Sequence, residues 1–157
     1  ETIYNTLIIA MPGMGKTTLL RDIIRNLSNG FTDGNTKIKG QNISVIDERG
    51  EISATYRGGS QNDLGIRTDV LNDIPKAIGM KMAIRSMAPK VIAVDEIGSG
   101  ADFKAIEYAV NSGVSVVATI HGKDLAEARE KLGQDIDKIF KRKIVIKSMG
   151  EYVCIWK

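Results

Sequence analysis

Residues 10–17 read Ala10-Met11-Pro12-Gly13-Met14-Gly15-Lys16-Thr17. An apolar run precedes them, Thr6-Leu7-Ile8-Ile9, and a helix-like run follows, Thr18-Leu19-Leu20-Arg21-Asp22-Ile23-Ile24-Arg25. The pattern is A/G-x-x-x-x-G-K-S/T between a strand and a helix, which is the context a phosphate-binding loop requires. Gly13 and Gly15 allow the backbone to curl so that successive N–H groups point inward at phosphate oxygens. The helix that follows adds the positive end of its dipole. The candidate phosphate-binding residues are therefore Pro12, Gly13, Met14, Gly15, Lys16, Thr17 and Thr18. In this reading Lys16 reaches the β- and γ-phosphates, and the Thr17 hydroxyl holds Mg²⁺. Ala10 stands where the pattern more often has glycine.

The 157 residues are enough for one domain with a sizeable core. With 43% hydrophobic and 26% charged residues, the balance is that of a soluble globular protein. No apolar run approaches the roughly 18 residues that span a bilayer. The net charge of +3 is too small to argue for a nucleic-acid partner by itself. One cysteine, Cys154, excludes an internal disulfide and fits a reducing compartment. The sequence opens without methionine just ahead of a core strand, so residues 1–157 are expected to be an excised C-terminal domain.

From this loop outward, apolar runs alternate with helical patterns. Strands are predicted at 5–10, 43–47, 91–94 and 114–119, and helices at 16–29, 76–87, 101–111 and 125–132. The continuous run Val91-Ile92-Ala93-Val94 marks a strand covered on both faces. In the helix at 76–87, Ile78, Met82 and Ile84 supply the apolar spacing, and Met80, Met82 and Met87 read as core filler. Residues 31–42 are polar and read as a loop with a short strand at 37–39. Residues 54–68 carry Gly58, Gly59 and Gly65 and read as a long functional or mobile loop. Alternation around Met149-Gly150 predicts a closing β-hairpin of 143–147 with 152–156. The fold class expected is α/β, a doubly wound and mainly parallel sheet with a C-terminal hairpin.

Acidic and polar groups fall at the strand ends that converge on the phosphate loop in such a sheet. Asp95 follows four apolar residues and is the candidate ligand for Mg²⁺ beside Thr17. Glu96 follows it and is expected to point to the other side of the strand end, where a carboxylate polarises water for attack on the γ-phosphate. Asp47 and Glu48 form a second acidic pair, which either holds metal-bound water or positions the nucleophile, or is a solvated strand end with Glu48 and Glu51 pairing with Arg49 or other surface arginines. His121, the only histidine, ends a strand and is a candidate γ-phosphate sensor, with Thr119 able to share the role. Arg85 and Arg67 are candidates for charge compensation, in cis or from a neighbouring subunit. Lys138, Lys141, Arg142, Lys143 and Lys147 form a basic cluster, read mainly as a solvated face.

Segments 11–24, 45–52, 65–71, 84–98 and 116–122 together resemble the sporulation stage III protein AA family, ATPases of a sporulation channel that are similar to the type II and type IV secretion ATPases. The resemblance covers nearly the whole chain. Its most specific parts are Gly65-Ile66-Arg67-Thr68-Asp69-Val70-Leu71 and Val94-Asp95-Glu96-Ile97-Gly98. By that resemblance 45–49 stands at the secretion ATPases' Asp box and 119–122 at their His box, and Arg85 matches an arginine ahead of their Walker B strand. Those enzymes carry glycine where this chain has Asp95. The resemblance implies a RecA-like P-loop NTPase, Mg²⁺-dependent ATP hydrolysis and a hexamer when the protein is full length. It also implies partners in a membrane-channel complex, and a cytoplasmic, membrane-peripheral location on the mother-cell side. No specific nucleic acid is expected. The alternatives are a nucleic-acid-associated P-loop ATPase and a non-catalytic nucleotide-binding scaffold.

Overall fold

Strand β1 (Thr6–Ala10) is buried along its whole length, and it delivers the chain to the phosphate loop at one edge of the sheet. The computed structural model describes residues 2–156; Glu1 and Lys157, the two ends of the expected 1–157 domain, lie outside the described residues. Helix α1 (Lys16–Asn29) follows the loop, and Lys16, Leu20, Ile24 and Ser28 are its buried residues. That is an i, i+4 stripe, so the helix lies flat on the sheet with Lys16 at the head of its buried face. Leu20 and Ile24 are 0% and 1% exposed, and each contributes about 1.5–3 kcal/mol by burial.

Next come β2 (Gly30–Asp33) and β3 (Thr36–Lys39), an antiparallel hairpin outside the main sheet. The chain then alternates through β4 (Ile43–Asp47), β5 (Thr68–Asn72), α2 (Lys76–Ser86), β6 (Val91–Val94), α3 (Gly100–Asn111) and β7 (Ser115–His121). It closes with α4 (Leu125–Leu132), α5 (Ile136–Ile139), β8 (Arg142–Ser148) and β9 (Glu151–Trp156). The seven-stranded sheet has the order β5-β4-β6-β7-β1-β8-β9. Every neighbouring pair is parallel except β8 with β9. α1 covers one face, where Leu20 and Ile24 pack with Ile8, Val45, Ala93 and Val117. Residues of α2, α3, α4 and α5 cover the other, around Leu7, Ile9, Ile92 and Val116. Because both faces are covered, β1, β4 and β6 are buried at every position; β6 is an unbroken apolar run, and β1 and β4 are mostly apolar, with Thr6, Ser44 and Asp47 as their polar residues. The doubly wound, mainly parallel sheet with its C-terminal hairpin is therefore the observed architecture.

Several local expectations are corrected. β5 has a half-polar pattern because it is an edge strand, and that hid it. In α2 the buried residues are Gly79, Met80 and Ala83, while Ile78 and Met82 are 54% and 47% exposed. Gly79 lets α2 approach β4 closely, since a Cβ there would lie 2.7 Å from Ile46 Cγ2. Residues 48–67 form no regular element, yet Ile52 and Leu64 are buried in the core on the α1 face, so this loop is anchored at both ends. The basic cluster is dispersed by strand alternation. Lys143 is fully buried and paired with Asp137, and the Arg142 guanidinium lies 4.2 Å from the Trp156 ring centroid.

Candidate active site

The loop after β1 takes the conformation its glycines allow: φ is +76° at Gly13 and +86° at Gly15. No atom lies within 4 Å of a Cβ built at either position, so the hollow they line is open. The N-terminus of α1 has no side-chain cap, and its first turn carries no acidic residue. Its first-turn N–H groups and dipole are thus left for an anion. Pro12 and Met14 lie in the curl itself, and the Thr18 hydroxyl accepts from Arg21. This is the fit that a triphosphate needs.

β6 brings the acids to the same place. Val91 and Ala93 face α1, so strand alternation points Asp95 to that face as well. Thr17 Oγ1 donates to Asp95 Oδ2 at 2.8 Å. A hydroxyl beside a carboxylate at the head of a phosphate-binding helix is a donor set suited to Mg²⁺, with phosphate and water oxygens completing the shell. Thr119, fully buried on β7, donates to Asp95 Oδ1 and accepts from the Glu96 N–H at 2.8 Å. It fixes both acids at once.

Glu96 does not continue the alternation to the opposite face. It is the second residue past the strand and has a φ of +52°, a left-handed conformation that costs an ordinary side chain energy and that recurs at functional sites. The turn carries its carboxylate over the sheet edge, where three cationic or protonatable groups meet it. Oε1 lies 3.6 Å from Lys16 Nζ and 2.7 Å from His121 Nε2, and Oε2 lies 2.6 Å from Arg49 Nη1. Burial opposes the charge on Glu96, but His121, Lys16 and Arg49 outweigh it and hold the carboxyl below its usual value. His121 reaches this position because β7 pairs with β1 in a register that sets it opposite Ala10. Its Nδ1 is buried with no hydrogen-bond partner among the described residues.

Of four other sequence candidates, Asp47 and Glu48 border the cleft of Asp95 and Glu96 but are engaged by other groups, and Arg67 and Arg85 lie elsewhere. Asp47 is not arranged as a metal ligand: Oδ1 accepts from Ile52 N–H, and Oδ2 accepts from Ser53 N–H at 2.8 Å and Ser53 Oγ at 2.6 Å. Both oxygens are committed to anchoring the 48–67 loop. Glu48 sits on the rim of the cleft that Asp95 and Glu96 line, with its carboxylate held by Lys76. Arg67 lies just before β5 and donates through Nη1 to Ser28 O at the end of α1, at the sheet edge opposite the phosphate loop. Arg85 is exposed near the end of α2, ahead of the start of β6, at that same far edge. Neither arginine joins the site within this chain. Arg49 does join it, although in sequence it reads only as a surface partner for Glu48 or Glu51; nothing in the spacing marks its pairing with a residue 47 positions away.

The family described as sporulation stage III, protein AA, matches residues 1–155. The stage III sporulation protein AA of Bacillus subtilis is 43% identical over 127 residues, which are 81% of this chain and 40% of that protein. Among solved structures, the Yersinia pseudotuberculosis ATPase DotB superposes with a TM-score of 0.63 at 18% identity, covering 96% of this chain and 42% of that one. The pilus retraction motor PilT, solved with bound ADP, gives a TM-score of 0.58 at 16% identity over 90% of this chain and 42% of that one. The chain thus spans about two-fifths of the length of these proteins. The two structural likenesses establish the fold, that of the P-loop secretion and pilus ATPases. By the match along nearly its whole length, this chain belongs to the sporulation stage III protein AA family.

Proposed function

We propose that this chain hydrolyses ATP with Mg²⁺ and transmits the resulting change of shape to a sporulation-channel or secretion-type membrane complex. The observation that carries the reading is the convergence of Lys16, the Thr17–Asp95 pair and Glu96 at one edge of the sheet. The backbone N–H groups of 13–18 and Lys16 hold the triphosphate, and Thr17 and Asp95 hold the metal. When bound, Mg²⁺ supplies charge neutralisation on the β- and γ-phosphate oxygens. Lys16 exchanges its pairing with Glu96 for the phosphates. Glu96, kept anionic by its cationic neighbours, then accepts the proton of the water that attacks the γ-phosphorus, while the bond from that phosphorus to the β–γ bridging oxygen breaks and ADP leaves with that oxygen. His121 orients Glu96 through Nε2.

Arg67 and Arg85, at the opposite edge, act on a phosphate only from a neighbouring subunit in this scheme. It therefore needs a ring, a hexamer in the full-length protein, bound to channel-complex proteins at the cytoplasmic, mother-cell face of a membrane. No described helix is long and apolar enough to cross a membrane. Burial of Lys143 and stacking of Arg142 break up the one basic cluster, which weakens the nucleic-acid alternative. Titration of a labelled ATP analogue tests the proposal. Lys16→Ala is expected to abolish binding, and Asp95→Asn to weaken it only when Mg²⁺ is present. Unchanged affinity in Lys16→Ala would mean that phosphates are held elsewhere.

A further inference from the structure

The two lateral edges of the main sheet are built differently. β5, at one side, carries Thr68, Asp69 and Asn72, and a charge on an edge strand discourages a further strand from pairing. β9, at the other side, reads Glu151-Tyr152-Val153-Cys154-Ile155-Trp156. After Glu151 it holds no charge and no proline, and the irregularity in its pairing with β8 lies at the hairpin tip, between Ile146 and Ser148. Tyr152, Val153 and Trp156 are 62%, 47% and 53% exposed, and Cys154 is exposed as well. Among the described residues no strand pairs with the outer edge of β9, so a row of backbone N–H and C=O groups faces outward between large apolar side chains.

The register with β8 assigns the faces. Tyr152, Cys154 and Trp156 stand opposite Ile146, Ile144 and Arg142, on the face that α1 covers. Val153 and Ile155 stand on the other face, opposite Val145 and Lys143. Trp156 is held in place: its ring meets that of Tyr4 edge-on, with centroids 5.4 Å apart, and the Arg142 guanidinium lies over it. In chemistry the strand is symmetric about Cys154, with an aliphatic residue on each side and then an aromatic one.

We infer that β9 is the contact with a second copy of this chain, the two strands antiparallel about a two-fold axis that passes through the Cys154 position perpendicular to the sheet. That register sets Cys154 against its own counterpart, Tyr152 against Trp156, and Val153 against Ile155. Directly opposite residues of an antiparallel pair share a face, with Cα atoms about 4.5–5.5 Å apart. Each of these side chains then meets an apolar one, and the aromatic pairs add their own stabilisation. The neighbouring register, centred on Val153, would set Glu151 against Ile155 and lose the aromatic pairs. A two-fold contact must be self-complementary, and an order that reads alike in both directions meets that demand; a strand of different sequence makes no such demand. The contact uses neither the phosphate site nor the arginines proposed to act between subunits, so it stands or falls independently of the nucleotide reading.

The test is sedimentation velocity under reducing conditions, without nucleotide, over a range of protein concentrations. The proteins are the parent, Cys154→Ser, Cys154→Lys and Cys154→Glu, with circular dichroism to check that each is folded. The parent and Cys154→Ser are expected to pass from monomer to dimer as concentration rises through the micromolar range. Cys154→Lys and Cys154→Glu each set like charges directly opposite one another, and each alone is expected to dimerise at least about tenfold more weakly. An equimolar mixture of these two sets opposite charges together and is expected to recover the dimer. A parent that stays monomeric throughout would overturn the inference and leave the edge to a different protein. Association that both charged variants leave unchanged would overturn it by placing the contact on another surface. A mixture that fails to recover the dimer would overturn the register, and the two-fold pairing with it.

Discussion

Asp137→Asn is expected to be among the most destabilising single-atom changes available in this protein. Lys143 lies on β8 with its side chain 0% exposed, and its ammonium is 2.8 Å from Asp137 Oδ1. Asp137 Oδ2 accepts from Arg129 Nε at 2.8 Å. Arg129 is 29% exposed and can turn toward water when the carboxylate is lost; Lys143 cannot. Removing one partner of a buried pair and stranding the other costs about 3–5 kcal/mol. For 157 residues the unfolding entropy near the midpoint is about 0.33 kcal/mol/K, so the midpoint falls by about 9–15 °C. Thermal and urea unfolding followed by circular dichroism would measure it in Asp137→Asn, Lys143→Met and the double variant. Lys143→Met in the Asp137→Asn background is expected to restore most of the loss, because the stranded charge is gone. A cost below about 1 kcal/mol for Asp137→Asn, or no recovery in the double variant, would refute the reasoning. The pair also sets a pH dependence. The hydrogen bond from Arg129, against burial and aided by Lys143, lowers the Asp137 carboxyl from 3.8 to about 2. A depressed folded value stabilises fully above the unfolded one, so this contribution is complete above about pH 4 and declines as pH falls toward 2. Asp137→Asn should lack that decline.

Gly30→Ala should cost about 2–4 kcal/mol in chemical denaturation: Gly30 has φ 78° and ψ 164°, a glycine-only region, and a Cβ would lie 2.5 Å from Ile38 O. Ser99→Ala removes the capping box of α3, in which Ser99 Oγ accepts from Asp102 N–H and Asp102 accepts in return, and should cost about 1 kcal/mol by the same assay. If ATP turnover rises more than linearly with protein concentration, Arg67→Ala should flatten the rise, since Arg67 stands at the sheet edge away from the site; a linear rise in the parent would exclude a trans role for this arginine in the chain as it stands.

The elements legible in the sequence were those whose surroundings are uniform. β1, β4 and β6 are covered on both faces, so mostly apolar segments announced them, and α1 announced itself through its loop and its i, i+4 stripe. β5 and β2 are edge or surface pieces whose polar residues carry no such period, and of the β2–β3 hairpin the sequence showed only the strand at 37–39, which is β3. The Thr17–Asp95 contact followed from motif and strand alternation. The gathering of Lys16, His121 and Arg49 around Glu96 did not, because it depends on a left-handed residue after the strand and on the β1–β7 register. The same limit misled the reading of Asp47. A carboxylate at a strand end looks free in sequence, and only the fold of 48–53 shows its oxygens taken by Ile52 and Ser53.

The most direct test of the catalytic reading is phosphate release at saturating Mg·ATP, measured with nucleotide affinity in parallel, for the parent and Glu96→Gln. The substitution keeps the shape of the side chain but removes its capacity to accept a proton, and it removes the negative charge 3.6 Å from Lys16. Affinity for Mg·ATP should stay at the parent level or rise, while turnover falls by about 10²–10⁴-fold, the scale of losing a general base. Hydrolysis near the parent rate would place the base elsewhere; equal loss of affinity and turnover would make Glu96 a structural residue, and either result would contradict the role assigned to it.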